Sequence, residues 1–422
     1  MVRKSCLISA LTAILVFCLP EAAGRNPVAV YAPSFHTLQV TAADDDMAPA
    51  VIRLGSNDHI AISFDEIASE SRYLRYELIH CDADWHPDRL MASEYLPDGF
   101  NEAPVDDYEY SRATTVHYVN YRITLPDDRM NPTLSGNYLV RVYDESEPDS
   151  TLLTAGFSIV EPLARIEANV TGRTDIDRNT AHQQLSLAVE TVGSGVSSPA
   201  TDLIVKIRQN NRTDNEVTLI SPSSLRGPQA IYEHMPQLIF PGGKEYRRFE
   251  TVNLRFPGRG VESYLYAHPF YHATLNPDVP RKDTPYSYDS TRQGRFRVRA
   301  SATASPRTEA DYVLTHFTLS MPEMMDADVY VEGDLTLRRF DQASRMVYNH
   351  AAGQYECTLL LKQGAYNYCY LAIPHGSTDA LTGPVEGDSH ATVNEYTVFV
   401  YHNPPGGRYQ RLIGMATVTA GR

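Results

Sequence analysis

Apolar and polar residues alternate with a period of two along most of the chain. In Tyr73–Ile79, Leu74, Tyr76 and Leu78 fall on one face and Tyr73, Arg75 and Glu77 on the other, as in a strand with one buried and one wet side. Similar short runs recur at Val51–Leu54, Ile60–Phe64, Val116–Leu125 and Asn137–Tyr143. The clearest are Thr315–Ser320, Ala327–Glu332, Gln354–Leu361, Tyr366–Ile373 and Thr392–Tyr401. Helical periodicity is scarce. Asp65 to Tyr73 is the one modest candidate, and it reads equally well as a loop. Short strands separated by turn residues predict an all-β fold of tandem β-sandwich domains.

Punctuation divides the pattern. Residues 1–24 read as a secretory signal peptide: Arg3 and Lys4 open it, an apolar core follows from Leu7 to Leu19, and Ala22-Ala23-Gly24 offers a cleavage site. A first sandwich is expected over 25–160, ending at Glu161-Pro162. A second is expected over 161–303, with a Pro-rich loop from His268 to Gly294, and a third over 304–422. A chain of 422 residues has ample length to bury several cores.

Composition narrows the function. The chain holds 52 Asp+Glu against 37 Lys+Arg, a net charge of −15, which argues against nucleic acid, whose binding needs basic side chains to displace counterions. No stretch after the leader has the length of a membrane-spanning helix. Aromatic usage is lopsided, with 27 Tyr and 13 Phe but a single Trp, Trp85.

The densest polar cluster is His80-Cys81-Asp82-Ala83-Asp84-Trp85-His86. As a straight strand it would set His80, Asp82, Asp84 and His86 on one face, a plausible set of metal ligands. A calcium loop is disfavoured, because Pro87 stands where its sixth-position Gly belongs and Ser93 where its Glu belongs. The competing reading is a strand ending in a polar turn, with Asp side chains on local backbone N–H groups and Trp85 as a packing anchor. That reading is the one carried forward, so no metal ligand is assigned. The remaining histidines are scattered, and no nucleophile elbow, paired metal motif or phosphate loop is present. No catalytic residue and no cofactor follow from the sequence. Three cysteines remain past the leader, Cys81, Cys357 and Cys369. Cys357 and Cys369 flank an expected hairpin turn at Gln363-Gly364, as a cross-strand bridge or as two separate thiols.

Two resemblances add to this reading. Val329-Tyr330-Val331-Glu332-Gly333-Asp334 and the run from Gly353 to Tyr368 resemble the early-set immunoglobulin-like domains that bind glycogen. Such domains grip sugars with exposed Trp. Here Leu335-Thr336-Leu337-Arg338-Arg339 stands in that loop, so the resemblance implies the architecture and not the sugar site. Tyr366, Tyr368 and Tyr370 alternate on one strand face as either ligand platforms or core.

The longer resemblance spans most of the chain after the leader, in order. It rests on Leu78-Ile79-His80-Cys81-Asp82-Ala83-Asp84-Trp85, Ser135 to Tyr143, Thr174-Asp175-Ile176-Asp177, His182-Gln183-Gln184 and Gly243-Lys244-Glu245-Tyr246-Arg247-Arg248-Phe249. It continues through Arg281, Tyr286, Asp289 and Gly294-Arg295-Phe296, then Tyr355 to Tyr370, Glu386-Gly387-Asp388-Ser389-His390 and Leu412-Ile413-Gly414. In these segments the chain resembles the plug proteins of the Bacteroidota type IX secretion system. The resemblance implies a non-enzymatic periplasmic protein, a monomer within a complex. It would cover the periplasmic mouth of a very large outer-membrane translocon barrel when no cargo fills it. Contacts are expected from loop aromatics and charges: Phe270, Tyr271, Arg281, Tyr286 and Tyr288 in the long loop are the candidates. The alternative is a carbohydrate-binding accessory protein using its early-set-like domain.

Overall fold

The computed structural model describes residues 26–43, 45 and 47–420; the expected signal peptide lies outside them. Nearly every element is a strand, and the strands form three sandwiches.

Both sheets of the first sandwich come from Ala29–Val160. In one, Ala29–Val30, Glu147–Val160, Gly136–Asp144, Leu74–Cys81 and Ala103–Pro104 lie side by side, with Val51–Arg53 added parallel to Glu147–Val160. The other carries Phe35–Ala42, Ile60–Glu66, Val119–Leu125 and Asp107–Tyr110 in that order. The inward positions of the alternating runs, among them Ile60, Ile62, Phe64, Leu74, Tyr76, Leu78 and Tyr121, make one core. Asp65–Tyr73, the modest helical candidate, is a strand end followed by a loop.

The other two sandwiches are interleaved in sequence, and here the expected boundary at 303 is corrected. Leu203–Gln209 pairs antiparallel with Glu395–His402, which in turn pairs with Arg411–Thr419. The middle sandwich therefore combines residues 165–241 with the C-terminal strands around a core of Leu185, Leu187, Val205, Ile207, Val398, Val400 and Ile413. The third sandwich is inserted between these two parts. Arg247–Glu250 and Phe296–Val298 pair with Gly364–Pro374, while Val261–Ala267 and Phe270–Leu275 extend the sheet of Tyr312–Leu319 and Gln354–Lys362. The Pro and Gly clusters around 276–306 are loops inside the third sandwich. Local punctuation marks where strands stop; it carries no information about which sheet the next strand joins.

A second correction concerns Gln363-Gly364. Gln354–Lys362 and Gly364–Pro374 do not pair with each other but belong to the two facing sheets of the third sandwich. The turn is a corner between layers. A side chain at Gly364 would sit 2.6 Å from the Arg297 carbonyl oxygen, so only glycine lets the chain cross there. Cys357 and Cys369 accordingly lie on different sheets as separate buried thiols.

The tyrosine excess is spent largely inside. Tyr118, Tyr121, Tyr138, Tyr312, Tyr366, Tyr370 and Tyr396 are fully buried. Their hydroxyls let bulky rings fill seams that also need a donor: Tyr118 donates to the Ala310 carbonyl (2.8 Å) and Tyr401 to Asn137 Oδ1 (2.9 Å). Both bonds join different sandwiches.

Candidate functional site

The polar cluster at 80–86 is an anchored turn. His80 is buried and its Nδ1 pairs with the Asp88 carboxylate, while Nε2 lies 3.2 Å from the Ser135 carbonyl oxygen. Asp82 Oδ1 accepts the backbone N–H groups of Asp84 and His86, both at 2.9 Å. Asp82, Asp84 and His86 have ligand atoms within 4.8 Å of one another, but His80 faces the interior away from them. Asp84 is ion-paired with Lys206 of the middle sandwich. The four residues that a straight strand would align are thus divided between a core bond, a turn and an inter-sandwich pair.

The Gly243–Phe249 and Glu386–His390 segments are a second framework. The Glu386 carboxylate is buried and accepts Arg247 Nε (3.0 Å), Arg281 Nε (2.7 Å) and the Tyr370 backbone N–H (3.0 Å). Burial opposes its ionisation, yet the two guanidinium groups outweigh that cost and hold its carboxyl below the usual carboxylate range. Arg247 also reaches Asp278 Oδ1 at 2.6 Å, and Tyr368 and Tyr370 donate to Asp278 Oδ2 at 2.6 and 2.8 Å. Tyr286 donates to Glu245 Oε1 (2.7 Å), and burial raises the Glu245 carboxyl pKa above its ordinary value.

This framework decides the fate of the candidate contact residues. Arg281 and Tyr286 hold their own loop onto the third sandwich. Phe270 and Tyr271 are not in a loop but on the strand Phe270–Leu275. Tyr288 is 61 % exposed. The five residues do not converge on one site.

What the structure brings together instead is an aromatic finger. Val261–Ala267 and Phe270–Leu275 form a hairpin whose inner strand pairs in parallel with Tyr312–Leu319. The outer strand is the edge of its sheet, with no strand beyond it among the described residues. Leu265 (67 % exposed) and Tyr266 (49 %) point to opposite faces, and Tyr266 packs 4.9 Å from the Tyr271 ring. Glu262 is the one charged residue in the fifteen from Val261 to Leu275. A long apolar edge strand left without a partner is a docking or aggregation surface. Tyr264, Leu265 and Tyr266 escape sequence reading because a continuous apolar run looks like a buried strand. The shortage of charge was the available signal.

The other aromatic candidates are interior. Tyr366, Tyr368 and Tyr370 are all at most 4 % exposed, and Phe249 stacks on Tyr366 at 5.0 Å. They supply core and framework, leaving the carbohydrate alternative without that platform.

Fold and surface define an all-β protein of three interlocked sandwiches whose most distinctive exposed feature is an apolar edge strand. Residues 35–161 match the family model described as "Type 9 secretion system plug protein 1st domain". The chain aligns over 93 % of its length, with 42 % identity and a TM-score of 0.91, to the crystal structure of a hypothetical protein from Parabacteroides merdae ATCC 43184, covering 98 % of that chain. The chain belongs to the type IX secretion plug protein family and has a role in type IX secretion. A Pseudomonas fluorescens alkylpurine DNA glycosylase (15 % identity, 30 % of each chain, TM-score 0.17) carries no argument at that score. Nor does the BSP domain of a biofilm associated protein (10 % identity, 95 % of this chain and 62 % of that one, TM-score 0.19). No curated protein matches the chain. Family and fold fit a non-enzymatic role.

Proposed function

We propose that this protein is a periplasmic plug that binds the periplasmic opening of the type IX outer-membrane translocon barrel and seals it while no cargo is engaged. The observation that carries the reading, beside family membership, is that the three sandwiches are welded into one body by buried polar bonds. Asp65 of the first receives Lys362 Nζ and Tyr312 Oη of the third, both at 2.7 Å. Tyr401 of the middle sandwich donates to Asn137 of the first, and Arg295 of the third bonds Glu395 of the middle at 2.7 Å. A cover over a wide pore must resist deformation, and close-packed cores joined by satisfied polar seams do so.

The aromatic finger at 261–275 is the contact surface that fits this role, because its apolar residues face outward on both sides and suit insertion against a rim. Phe270 and Tyr271 remain candidates as part of it, and Tyr288 as a separate exposed aromatic. The test is isolation of the tagged protein from native membranes together with a permeability assay. Co-isolation with a very large barrel, and entry of dyes and large antibiotics into a deletion strain, are the expected results. A protein recovered alone from extracts that contain the barrel would overturn the proposal.

A further inference from the structure

Two histidines outside the frameworks above meet on the seam that joins the aromatic finger to its sandwich. His272 lies on the inner strand of the hairpin, and His316 on Tyr312–Leu319, the strand to which the hairpin is paired. That pairing is short, a parallel ladder running from Tyr271 opposite Val313 to Thr274 opposite His316. His272 Nδ1 lies 2.9 Å from His316 Nε2, with the rings 13° from parallel. On its other side His316 Nδ1 lies 2.9 Å from Thr358 Oγ1, on the next strand. The imidazoles thus bridge the same two strands as the ladder. Both are half-buried on the outer face of the sheet, within reach of protons from solvent.

A bond between two imidazole nitrogens needs one proton between them. In the neutral pair one facing nitrogen donates and the other accepts. A first extra proton leaves this intact, because it settles on a nitrogen that does not face the partner. A second puts N–H on both facing atoms, so the bond is lost and two cations stand in contact. No carboxylate compensates. Leu265 lies opposite His272 on the outer strand of the finger, Leu314 and Thr318 flank His316, and Thr358 lies opposite it. The charged side chains of these strands are placed or engaged elsewhere. Glu262 sits in the bulge at the base of the hairpin, Glu356 accepts from Asn349 and Gln354, and Lys362 is tied to Asp65. At the turn, His268 Nδ1 lies 3.4 Å from Tyr266 Oη. Burial first, and the charge of His272 second, pull His316 below the ordinary histidine pKa.

We propose that the His272–His316 pair is an acid-sensitive latch, which ties the finger to the third sandwich at neutral pH and frees its tip in mildly acid medium. Release is partial. Val261, Ala273 and Leu275 belong to the core, so the base of the hairpin stays packed while Leu265–His272, toward the turn, loosens. The opened finger takes up the second proton more readily than the latched one. The contribution of the latch is therefore complete above the ordinary histidine range and is lost as pH falls below it. This concerns the finger itself and holds whatever docks on it.

Hydrogen exchange of the whole protein, read by mass spectrometry at pH 7 and pH 5 and corrected for the intrinsic rate at each, tests the latch. Peptides covering Leu265–His272 should exchange about tenfold faster or more at pH 5, while those of Gly364–Pro374 in the facing sheet should not. His272→Gln and His316→Gln each keep a hydrogen-bonding side chain and remove one titrating ring. Both variants should protect the finger alike at the two pH values. Equal protection of the parent finger at pH 7 and pH 5 overturns the proposal. So does a loss at pH 5 that both variants retain, or one that spreads evenly over all strands, since either means that acid acts elsewhere.

Discussion

Asp65 and Lys362 lie 297 positions apart in sequence and 2.7 Å apart in space. Together they close the seam between the first and third sandwiches. The remaining valences of Asp65 are filled by Tyr312 and by Asn120 Nδ2 (2.6 Å), and Lys362 Nζ sits 4.1 Å over the Tyr118 ring. Burial pulls the Lys362 ammonium below its ordinary pKa, against the attraction of Asp65. Removing one partner strands the other charge in a dry interface, at a cost of about 3–5 kcal/mol. Lys362→Met alone should therefore destabilise strongly. Asp65→Leu combined with Lys362→Met should recover much of the loss. A double-mutant cycle on denaturant curves checks this, and equal losses for the single and double variants would refute it.

Glu386 sets a pH dependence. Its carboxyl pKa is lower in the folded state than in the unfolded chain, held down by Arg247 and Arg281 against the opposing effect of burial. The stabilisation it contributes is complete above the unfolded carboxylate range and is lost as pH falls through the folded value. Glu386→Gln should cost about 3–5 kcal/mol at pH 7. The gap between variant and parent should narrow as pH falls below the ordinary glutamate range. Thermal unfolding at pH 7 and at pH 4 makes the comparison.

The finger and the loop separate under mutation. Leu265→Asp changes an exposed edge, so stability should shift by only about 0.5 kcal/mol while recovery with the barrel falls. Arg281→Ala removes a partner of a buried carboxylate and should lower the unfolding temperature clearly. Barrel recovery per folded molecule should stay unchanged. Parallel melting curves and membrane pull-downs distinguish the two, and unaltered recovery of Leu265→Asp would remove the finger from the contact surface.

The thiols should be slow to react. Burial pushes the Cys357 thiol up to about 11 and that of Cys369 well above its usual value, so neither offers appreciable thiolate at neutral pH. Iodoacetamide should leave both unmodified in the native protein and label both after unfolding without reductant. Intact and peptide mass measurement reads the result; a bridge would block labelling in the unfolded, unreduced sample.

Much of the first sandwich was legible. Leu74, Tyr76 and Leu78 alternate with polar neighbours, and that alternation alone assigns their faces. The segments that resemble a family, such as Gly243–Phe249 and Glu386–His390, were also visible, though not their purpose. They are buried charge frameworks, whose partners Arg247 and Glu386 are 139 positions apart. The finger was hidden for the opposite reason: Tyr264-Leu265-Tyr266 reads as interior because nothing local says that the next strand is missing.

The chain by itself determined strand period, turn positions and a predominantly β architecture, because these depend on neighbours one to four residues away. Tertiary structure alone decided that the third sandwich interrupts the second, that Arg247 meets Glu386, and that Val261–Ala267 is an edge. Strand pairing is a contact between distant segments of similar pattern, and an alternating sequence specifies a face without specifying the neighbour that will cover it.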